Sequence, residues 1–273
     1  MPFADVNGIK MHYEVLGDGY SLILHHGYGA NMHIWMGQIK ALSEHFKVIT
    51  LDSRSSGKTE RPKEAYTLDT LVDDLKGLMD ALGIQEAHLM GQSMGGWIIQ
   101  NFVLKYPDKA NKLVLLGTNH KGAGIHLLEQ TMGELYELRK TAPEEAFRRY
   151  AKLMHHRRFF KEMQADPKKK FHDLWSAEDL IKETMEDQMT PEDLALLANA
   201  IDAHDLADRL HKISNPILLI CASNDKMSPK LVMEEMDSAF PNSKLEFVDK
   251  TGHHLFLEEA PTVNNLIINF LKS

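Results

Sequence analysis

The sequence predicts an α/β fold with a mostly parallel sheet, helices on both faces of that sheet, and an inserted all-helical segment. Short apolar runs bounded by turn residues alternate with helical patterns over residues 1–120, and this alternation returns in residues 211–273. Such alternation is typical of parallel sheets that helices cover on both sides. Between these parts, residues 121–210 contain helical patterns and no strand-like run. We therefore predict one core, 1–120 and 211–273, that is split by an insertion at 121–210.

Strands are predicted where short apolar runs lie between polar flanks, and helices where apolar residues recur every three or four positions. The predicted strands are Met11–Leu16, Ser21–His25, Phe46–Leu51, Ala87–Met90, Lys112–Leu116, Ile217–Cys221 and Lys244–Val248. The predicted core helices are Thr67–Leu82, Met94–Tyr106, Pro229–Phe240 and Glu258–Leu271. The predicted helices of the insertion are Leu127–Lys140, Pro143–Met163, Ala177–Met189 and Pro191–Ala203.

Composition excludes several function classes. The formal net charge of −8 would repel nucleic-acid phosphates and anionic lipids, so neither nucleic acid nor membrane is expected as a partner. The single cysteine, Cys221, has no second cysteine with which to form an internal disulfide. The first residues do not have the pattern of a signal peptide, and the apolar runs are shorter than a membrane span. We expect a cytoplasmic protein that binds a small molecule.

The segment Gly91–Gly96, with the letters G-Q-S-M-G-G, lies between a predicted strand and a predicted helix. Glycines on both sides of Ser93 permit a very tight turn that holds the serine in a strained conformation and exposes its hydroxyl. The amides at the start of the next helix would stabilise a negative oxygen there. Ser93 is therefore the candidate nucleophile.

A serine hydroxyl requires a base, and that base requires an orienting acid. Asp225 comes directly after the strand Ile217–Cys221, and His253 comes soon after the strand ending at Val248. Both residues are expected at the carboxyl edge of the sheet, where Ser93 also lies. His254 is a rival base, and His253 is preferred because Gly252 precedes it. Asp249 is a rival acid, but it follows the wrong strand.

The loop His25–Gly29, with the letters H-H-G-Y-G, follows an early predicted strand. Acyl transfer places a negative charge on oxygen, and two backbone amides usually bind it. The amides of Tyr28 and Met94 are the candidate donors. The glycines of this loop would let it approach a substrate closely.

Metal and nucleotide cofactors are not expected. Several of the fifteen histidines are adjacent pairs, and neither H-E-x-x-H nor the Cys/His spacing of zinc sites occurs. No G-x-G-x-x-G motif follows a strand, which argues against a dinucleotide cofactor.

Taken together, the motifs H-G-Y-G, D-S-R-S-S-G, G-Q-S-M-G-G, S-N-D and G-H-H with E-E-A-P resemble the α/β-hydrolase family. The resemblance is strongest to its esterase, lactonase and carbon–carbon-bond hydrolase branch. It implies that Ser93 is the nucleophile, His253 the base and Asp225 the acid, with Tyr28 and Met94 as oxyanion donors. It also implies that the insertion is the family's cap, which roofs the pocket. The expected reaction is hydrolysis of a small, apolar carboxylic ester through an acyl-enzyme.

One departure from the family and three alternatives remain open. Ser55 stands where the family commonly has glycine, and Asp52 and Arg54 of that loop are interpreted as structural. The first alternative is cleavage of a carbon–carbon bond in a diketo acid, and the second is lactone hydrolysis. The first requires cations for the substrate carboxylate, and the candidates are Arg148, Arg149, Arg157 and Arg158. The third, a non-enzymatic one, is a receptor that uses the same pocket.

Overall fold

The protein is built around one twisted sheet, seen in a computed structural model that describes residues 2–122, 124–185 and 187–273. The side chains of residues 183–185 are likewise not described. The strands are β1 (Phe3–Val6), β2 (Ile9–Leu16), β3 (Ser21–His25), β4 (Lys47–Leu51), β5 (Ala87–Gln92), β6 (Ala110–Leu116), β7 (Ile217–Ala222) and β8 (Ser243–Val248).

The strand order across the sheet is β1-β2-β4-β3-β5-β6-β7-β8. β1 and β2 run antiparallel to their neighbours, and the pairs from β4 to β8 are parallel. The prediction of a mostly parallel sheet is therefore confirmed, and all seven predicted strands are present. The short edge strand β1 was missed by the sequence analysis, since three of its four residues are exposed or half-buried.

Helices cover both faces of the sheet. Apolar side chains form one buried cluster on each face, and both clusters include residues from the strands. The helices are α1 (Ile39–Ser43), α2 (Leu68–Ala81), α3 (Met94–Lys105), α4 (Ile125–Arg139), α5 (Pro143–Met154), α6 (Arg157–Ala165), α7 (Ala177–Met185), α8 (Pro191–Ile201), α9 (Lys230–Ala239), α10 (Leu255–Glu258) and α11 (Ala260–Lys272).

Helix α2 illustrates how local sequence produces these elements. Thr67 caps its first turn, and the side chains of Thr67 and Thr70 satisfy each other's backbone amides. Leu71, Leu75 and Leu78 are fully buried on one face. Each such leucine contributes roughly 1.5–3 kcal/mol by leaving water. The helix therefore forms because its apolar spacing matches the surface of the sheet.

Three helix predictions were wrong in their extent. The predicted helix Pro143–Met163 is two helices, because the chain turns at His155 and His156, where the amide of His156 donates to the carboxylate of Glu258. The predicted helix Glu258–Leu271 begins instead at Ala260. The predicted helix Ala177–Met189 is helical from Ala177 to Met185; residue 186 lies outside the described residues, and residues 187–189 are not helical.

The inserted segment lies over the carboxyl ends of the strands. Its helices are α4 to α8, and Lys121 and Asp205 form an isolated bridge where the chain enters and leaves it. The hydroxyl of Tyr28, in the loop after β3, donates to the carbonyl of Leu194 in α8 at 2.7 Å. The insertion is thus fastened to the edge of the sheet at which the candidate site lies. Among the described helices, none has the length and apolarity that a membrane span requires.

Candidate active site

Ser93 lies in a strained turn between β5 and α3. Its backbone angles are φ 54° and ψ −120°, a conformation that non-glycine residues rarely adopt. A Cβ atom on Gly91 would come within 2.6 Å of the Gly95 carbonyl, and one on Gly95 would collide with the carbonyl of His25. Only glycine fits at these two positions, which explains the G-x-S-x-G pattern. The turn is held by Thr118, whose hydroxyl donates to the Ser93 carbonyl at 2.7 Å.

Asp225 and His253 meet at the same edge of the sheet. Asp225 follows β7, His253 follows β8, and Nδ1 of His253 lies 2.8 Å from Oδ2 of Asp225. Both side chains are almost fully buried. The other carboxylate oxygen, Oδ1, accepts the amides of Met227 at 2.7 Å and Ser228 at 3.0 Å. Because donors surround this carboxylate, its position is fixed, and it in turn orients the imidazole.

His254 and Asp249, the rival base and acid, and the thiol of Cys221 have surroundings that differ from those of His253 and Asp225. His254 packs edge-on against His155, with ring centroids 5.0 Å apart, and burial lowers its pKa well below the usual value. Asp249 is exposed at the end of β8. The thiol of Cys221 is buried, and burial raises its pKa to about 12. A thiol in that state is a poor nucleophile at neutral pH.

One contact that the sequence analysis expected is not formed. Within the described residues, no hydrogen bond joins the hydroxyl of Ser93 to His253. Instead, Nε2 of Gln92 lies 2.9 Å from Nε2 of His253, the ring nitrogen that would accept the serine proton. Gln92 is buried and directly precedes Ser93. The sequence analysis did not single out Gln92, although a glutamine at the end of the apolar strand β5 was a signal that could have done so.

The two candidate oxyanion donors lie on either side of Ser93. The amide of Met94 begins α3, and the amide of Tyr28 lies in the loop after β3. Neither amide donates a hydrogen bond within the part of the chain that the structure describes. A Cβ on Gly27 would lie 3.3 Å from the Cβ of Ser93, so this loop passes very close to the serine.

A small cavity of about 40 Å³ opens above Ser93. In this measure one water molecule needs about 10–15 Å³, so the space holds a few water molecules. Helix α4 and the residue before it contribute to the wall of this cavity, so the insertion and the serine line the same space. None of its lining side chains carries a charge; they belong to Tyr28, Ser93, Met94, Trp97, Asn119, Ile125, Leu128, Met227 and Ser228, with Gly124 completing the wall.

None of the four candidate arginines lines this cavity. Arg148 and Arg149 form ion pairs with Glu145 at 2.5 and 2.9 Å, and Arg158 pairs with Glu259 at 3.1 Å. Arg157 lines a separate depression at the surface of the insertion. The cavity above Ser93 therefore receives no cation from these candidates.

The loop D-S-R-S-S-G has a structural role, as the sequence analysis interpreted it. The carboxylate of Asp52 accepts hydrogen bonds from the amides of Met32 and Lys58 and is hydrogen-bonded to the ring of His12. Arg54 forms an ion pair with Asp74 at 2.7 Å. Ser55 has φ 67°, the left-handed conformation that a glycine adopts more easily. The departure from glycine thus leaves the glycine-like backbone unchanged. Groups of three or more potential metal ligands are absent from the described residues.

Comparison with known proteins decides the family. The sequence profile of the α/β hydrolase fold matches residues 20–260. The chain belongs to the α/β-hydrolase family. RutD of Caulobacter vibrioides, whose name refers to carbamate hydrolysis, is 28% identical over 279 residues and covers 100% of this chain and 98% of its own. A 2-hydroxy-6-oxo-6-phenylhexa-2,4-dienoate hydrolase of Comamonas testosteroni is 26% identical, over 98% of this chain and 93% of its own.

Solved structures share the α/β-hydrolase fold. The enol-lactonase of Burkholderia xenovorans has a TM-score of 0.85 at 24% identity, with both chains covered completely. A thermophilic esterase of Thermogutta terrifontis has a TM-score of 0.82 at 24% identity and covers 99% of this chain and 97% of its own. The family and its members identify the protein as a hydrolase. They differ in the bond that their names describe, so the substrate must be argued from the site.

Proposed function

We propose that the protein is a serine hydrolase that cleaves a small, uncharged carboxylic ester. Ser93 is the nucleophile, His253 the general base and Asp225 the acid that orients it. The observation that carries the proposal is the buried His253–Asp225 pair, whose Nδ1 and Oδ2 lie 2.8 Å apart at the sheet edge where Ser93 occupies a strained turn. A carboxylate that holds an imidazole next to a serine is the arrangement that activates a hydroxyl at neutral pH.

In the first half of the reaction, Nε2 of His253 takes the proton of the Ser93 hydroxyl as Oγ attacks the substrate carbonyl. The negative oxygen is bound by the amides of Tyr28 and Met94, which have no other acceptor among the described residues. The carbon–oxygen bond of the ester then breaks. The leaving alcohol takes the proton from His253, and the acyl group stays on Ser93.

In the second half, water attacks the acyl-enzyme, and His253 takes its proton. The same two amides bind the second oxyanion. Ser93 leaves with the proton from His253, and the carboxylic acid is released. Throughout, Asp225 stabilises the charged imidazolium and keeps the tautomer whose Nε2 can accept a proton.

The missing Ser93–His253 hydrogen bond is compatible with this mechanism. Catalytic hydrogen bonds often tighten only when substrate is bound. His253 contacts Gln92, the residue that directly precedes Ser93.

The uncharged cavity supports a neutral substrate. Trp97, Ile125, Leu128 and Met227 give it an apolar wall, and Asn119 gives it one neutral polar group. The cavity is small, at about 40 Å³, and Ile125 and Leu128 of α4 form part of its wall, so α4 borders the space that a substrate would enter. A diketo acid is less well supported, because none of the candidate arginines reaches this cavity. Lactones share the ester bond and remain an alternative, as does a receptor that binds without turnover.

The test is burst kinetics with p-nitrophenyl acetate. We expect a burst of p-nitrophenol equal to the enzyme concentration, and a loss of at least about 10⁴-fold in rate for Ser93→Ala. His253→Gln should also abolish the burst, whereas the matched variant His254→Gln should retain it. Ester hydrolysis that survives in Ser93→Ala would contradict the proposal.

A substrate panel then separates the reactions. Faster turnover of a diketo acid than of any ester would favour the carbon–carbon hydrolase. Faster turnover of lactones or of carbamates would identify the protein as a lactonase or as a carbamate hydrolase. Tight binding of esters without turnover would favour the receptor.

A further inference from the structure

We infer that Gln92 is a positioning residue for the base. In the resting enzyme its side-chain amide donates a hydrogen bond to the lone pair on Nε2 of His253, and it competes there with the Ser93 hydroxyl. The inference builds on the proposed function, in which Nε2 accepts the serine proton. The observation behind it is the 2.9 Å contact between Nε2 of Gln92 and Nε2 of His253.

The direction of this hydrogen bond follows from Asp225. Its Oδ1 is occupied by two backbone amides, and its Oδ2 lies 2.8 Å from Nδ1 of His253. An ionised carboxylate only accepts hydrogen bonds, so Nδ1 carries the proton. In the neutral imidazole the other nitrogen, Nε2, then has a lone pair and accepts from the Gln92 amide group. A protonated Nε2 would instead face another N–H donor.

The surroundings of Gln92 hold its amide in this orientation. The side chain is buried, and its Oε1 packs against Gly27, where a Cβ atom would collide with it. A glutamine at the end of β5 therefore fits only because residue 27 is glycine. The amide nitrogen is thereby directed at His253.

A nitrogen lone pair accepts one good hydrogen bond. While Gln92 donates to Nε2, the Ser93 hydroxyl has no partner among the described residues, in agreement with the missing contact. Gln92 thus stabilises the neutral imidazole and keeps it in place, and the reaction requires His253 to exchange the Gln92 amide for the Ser93 hydroxyl.

Three other titratable groups lie around this imidazole. Asp225 bonds Nδ1, and the ring of His254 is 6.0 Å away and stacked. Glu258 accepts the amide of Gly252, just before His253, and also contacts His155. None of these contacts Nε2, so a change at Gln92 should alter the titration of His253 through Nε2 alone.

The experiment is an NMR titration of the histidine ring nitrogens, with the His253 signals assigned by their loss in His253→Gln. It requires no activity. In wild type, His253 should be the Nδ1–H tautomer. Gln92→Met removes the donor to the neutral form, so the pKa of His253 should rise by about 0.5–1 pH unit, a change of about threefold to tenfold in proton affinity. Gln92→Glu should raise it further, because a carboxylate beside Nε2 favours the imidazolium.

Gln100→Met is the matched control. Gln100 is equally buried, and its amide donates to the carbonyls of Gly96 and Asn119 rather than to His253. It should leave the His253 titration where it is in wild type. An unchanged His253 pKa in both Gln92 variants, or an equal shift in Gln100→Met, would overturn the inference.

Kinetics separate this inference from the proposed function. If both hold, the acidic limb of kcat/KM for the ester moves to higher pH in Gln92→Met together with the NMR pKa. If the NMR pKa moves and the kinetic limb does not, Gln92 holds His253 as inferred, but His253 is not the base.

Discussion

Two buried pairs of histidine and aspartate in this molecule have nearly the same geometry and different surroundings. His12 and Asp52 lie 2.7 Å apart, and His253 and Asp225 lie 2.8 Å apart. All four side chains are almost completely removed from solvent. The distance between imidazole and carboxylate therefore does not distinguish a structural pair from a candidate catalytic one.

The difference lies at the far nitrogen of each ring. Nε2 of His12 is buried without a hydrogen-bond partner among the described residues, and Phe3 packs against the ring at 5.1 Å. Nε2 of His253 faces the amide of Gln92, next to Ser93. A base requires a lone pair that can accept a proton from a neighbouring group. Among the described residues, Nε2 of His253 has a hydrogen-bonding neighbour and Nε2 of His12 has none. We therefore expect the two pairs to respond differently to the same substitution.

The largest effect is expected from Asp225→Asn. An asparagine can donate to the ring and so favours the wrong tautomer of His253, and in a comparable triad this change costs about 10⁴-fold in rate. The measurement is kcat/KM with p-nitrophenyl acetate, together with urea unfolding to establish that the variant is folded. A folded Asp225→Asn enzyme with more than about a tenth of wild-type activity would show that the pair is not part of the machinery.

The same substitution in the other pair, Asp52→Asn, should act on stability instead. Asp52 accepts two backbone amides besides His12, and although burial opposes ionisation, these hydrogen bonds hold its pKa below the usual value. Removing one partner of a buried pair costs about 3 kcal/mol or more of unfolding free energy. The activity per folded molecule should stay within about twofold. If kcat falls as far as in Asp225→Asn, the distinction between the pairs is wrong.

A third prediction concerns buried histidines that have no carboxylate partner. Burial lowers the pKa of His25 to about 3, and it lowers the pKa of His204 to about 4, from a usual value of 6.5. The unfolded chain therefore binds more protons than the folded one below pH 6.5. The stability from keeping these rings neutral is complete above pH 6.5 and is lost as the pH falls towards 4.

Each such histidine should add up to about 1.4 kcal/mol per pH unit to the slope of unfolding free energy between about pH 6 and 4. Urea unfolding at a series of pH values measures this slope. His204→Gln should reduce this slope by the amount that corresponds to one proton taken up on unfolding. The exposed control His45→Gln should leave the slope unchanged. A slope in His204→Gln equal to that of wild type would mean that His204 is not kept neutral by burial.

Much of the core was predictable because its signals are local. The glycines around Ser93 and the alternation of apolar runs are short-range patterns. They identified the sheet, the strained turn at Ser93 and the loops after β7 and β8. The pairing of Asp225 with His253 was inferred from their positions after two predicted strands, because parallel strands end at one edge, and from the resemblance to the family.

What the sequence did not reveal depends on partners that are distant along the chain. The helix break at His155 and His156 follows no glycine or proline and is stabilised by Glu258, about a hundred residues away. The contact between Gln92 and His253 spans 161 positions. Such contacts have no local signal, because neither partner alone indicates the other.

Covalent labelling of Ser93 by a fluorophosphonate tests the central claim most directly, since it requires an activated hydroxyl and no knowledge of the substrate. We predict one adduct per folded molecule by intact mass, located on Ser93 by peptide sequencing. The adduct should be absent in Ser93→Ala and at least about 10³-fold slower to form in His253→Gln, and it should form normally in Asp52→Asn. A folded wild-type protein that forms no adduct, or forms one at another residue, would contradict the account.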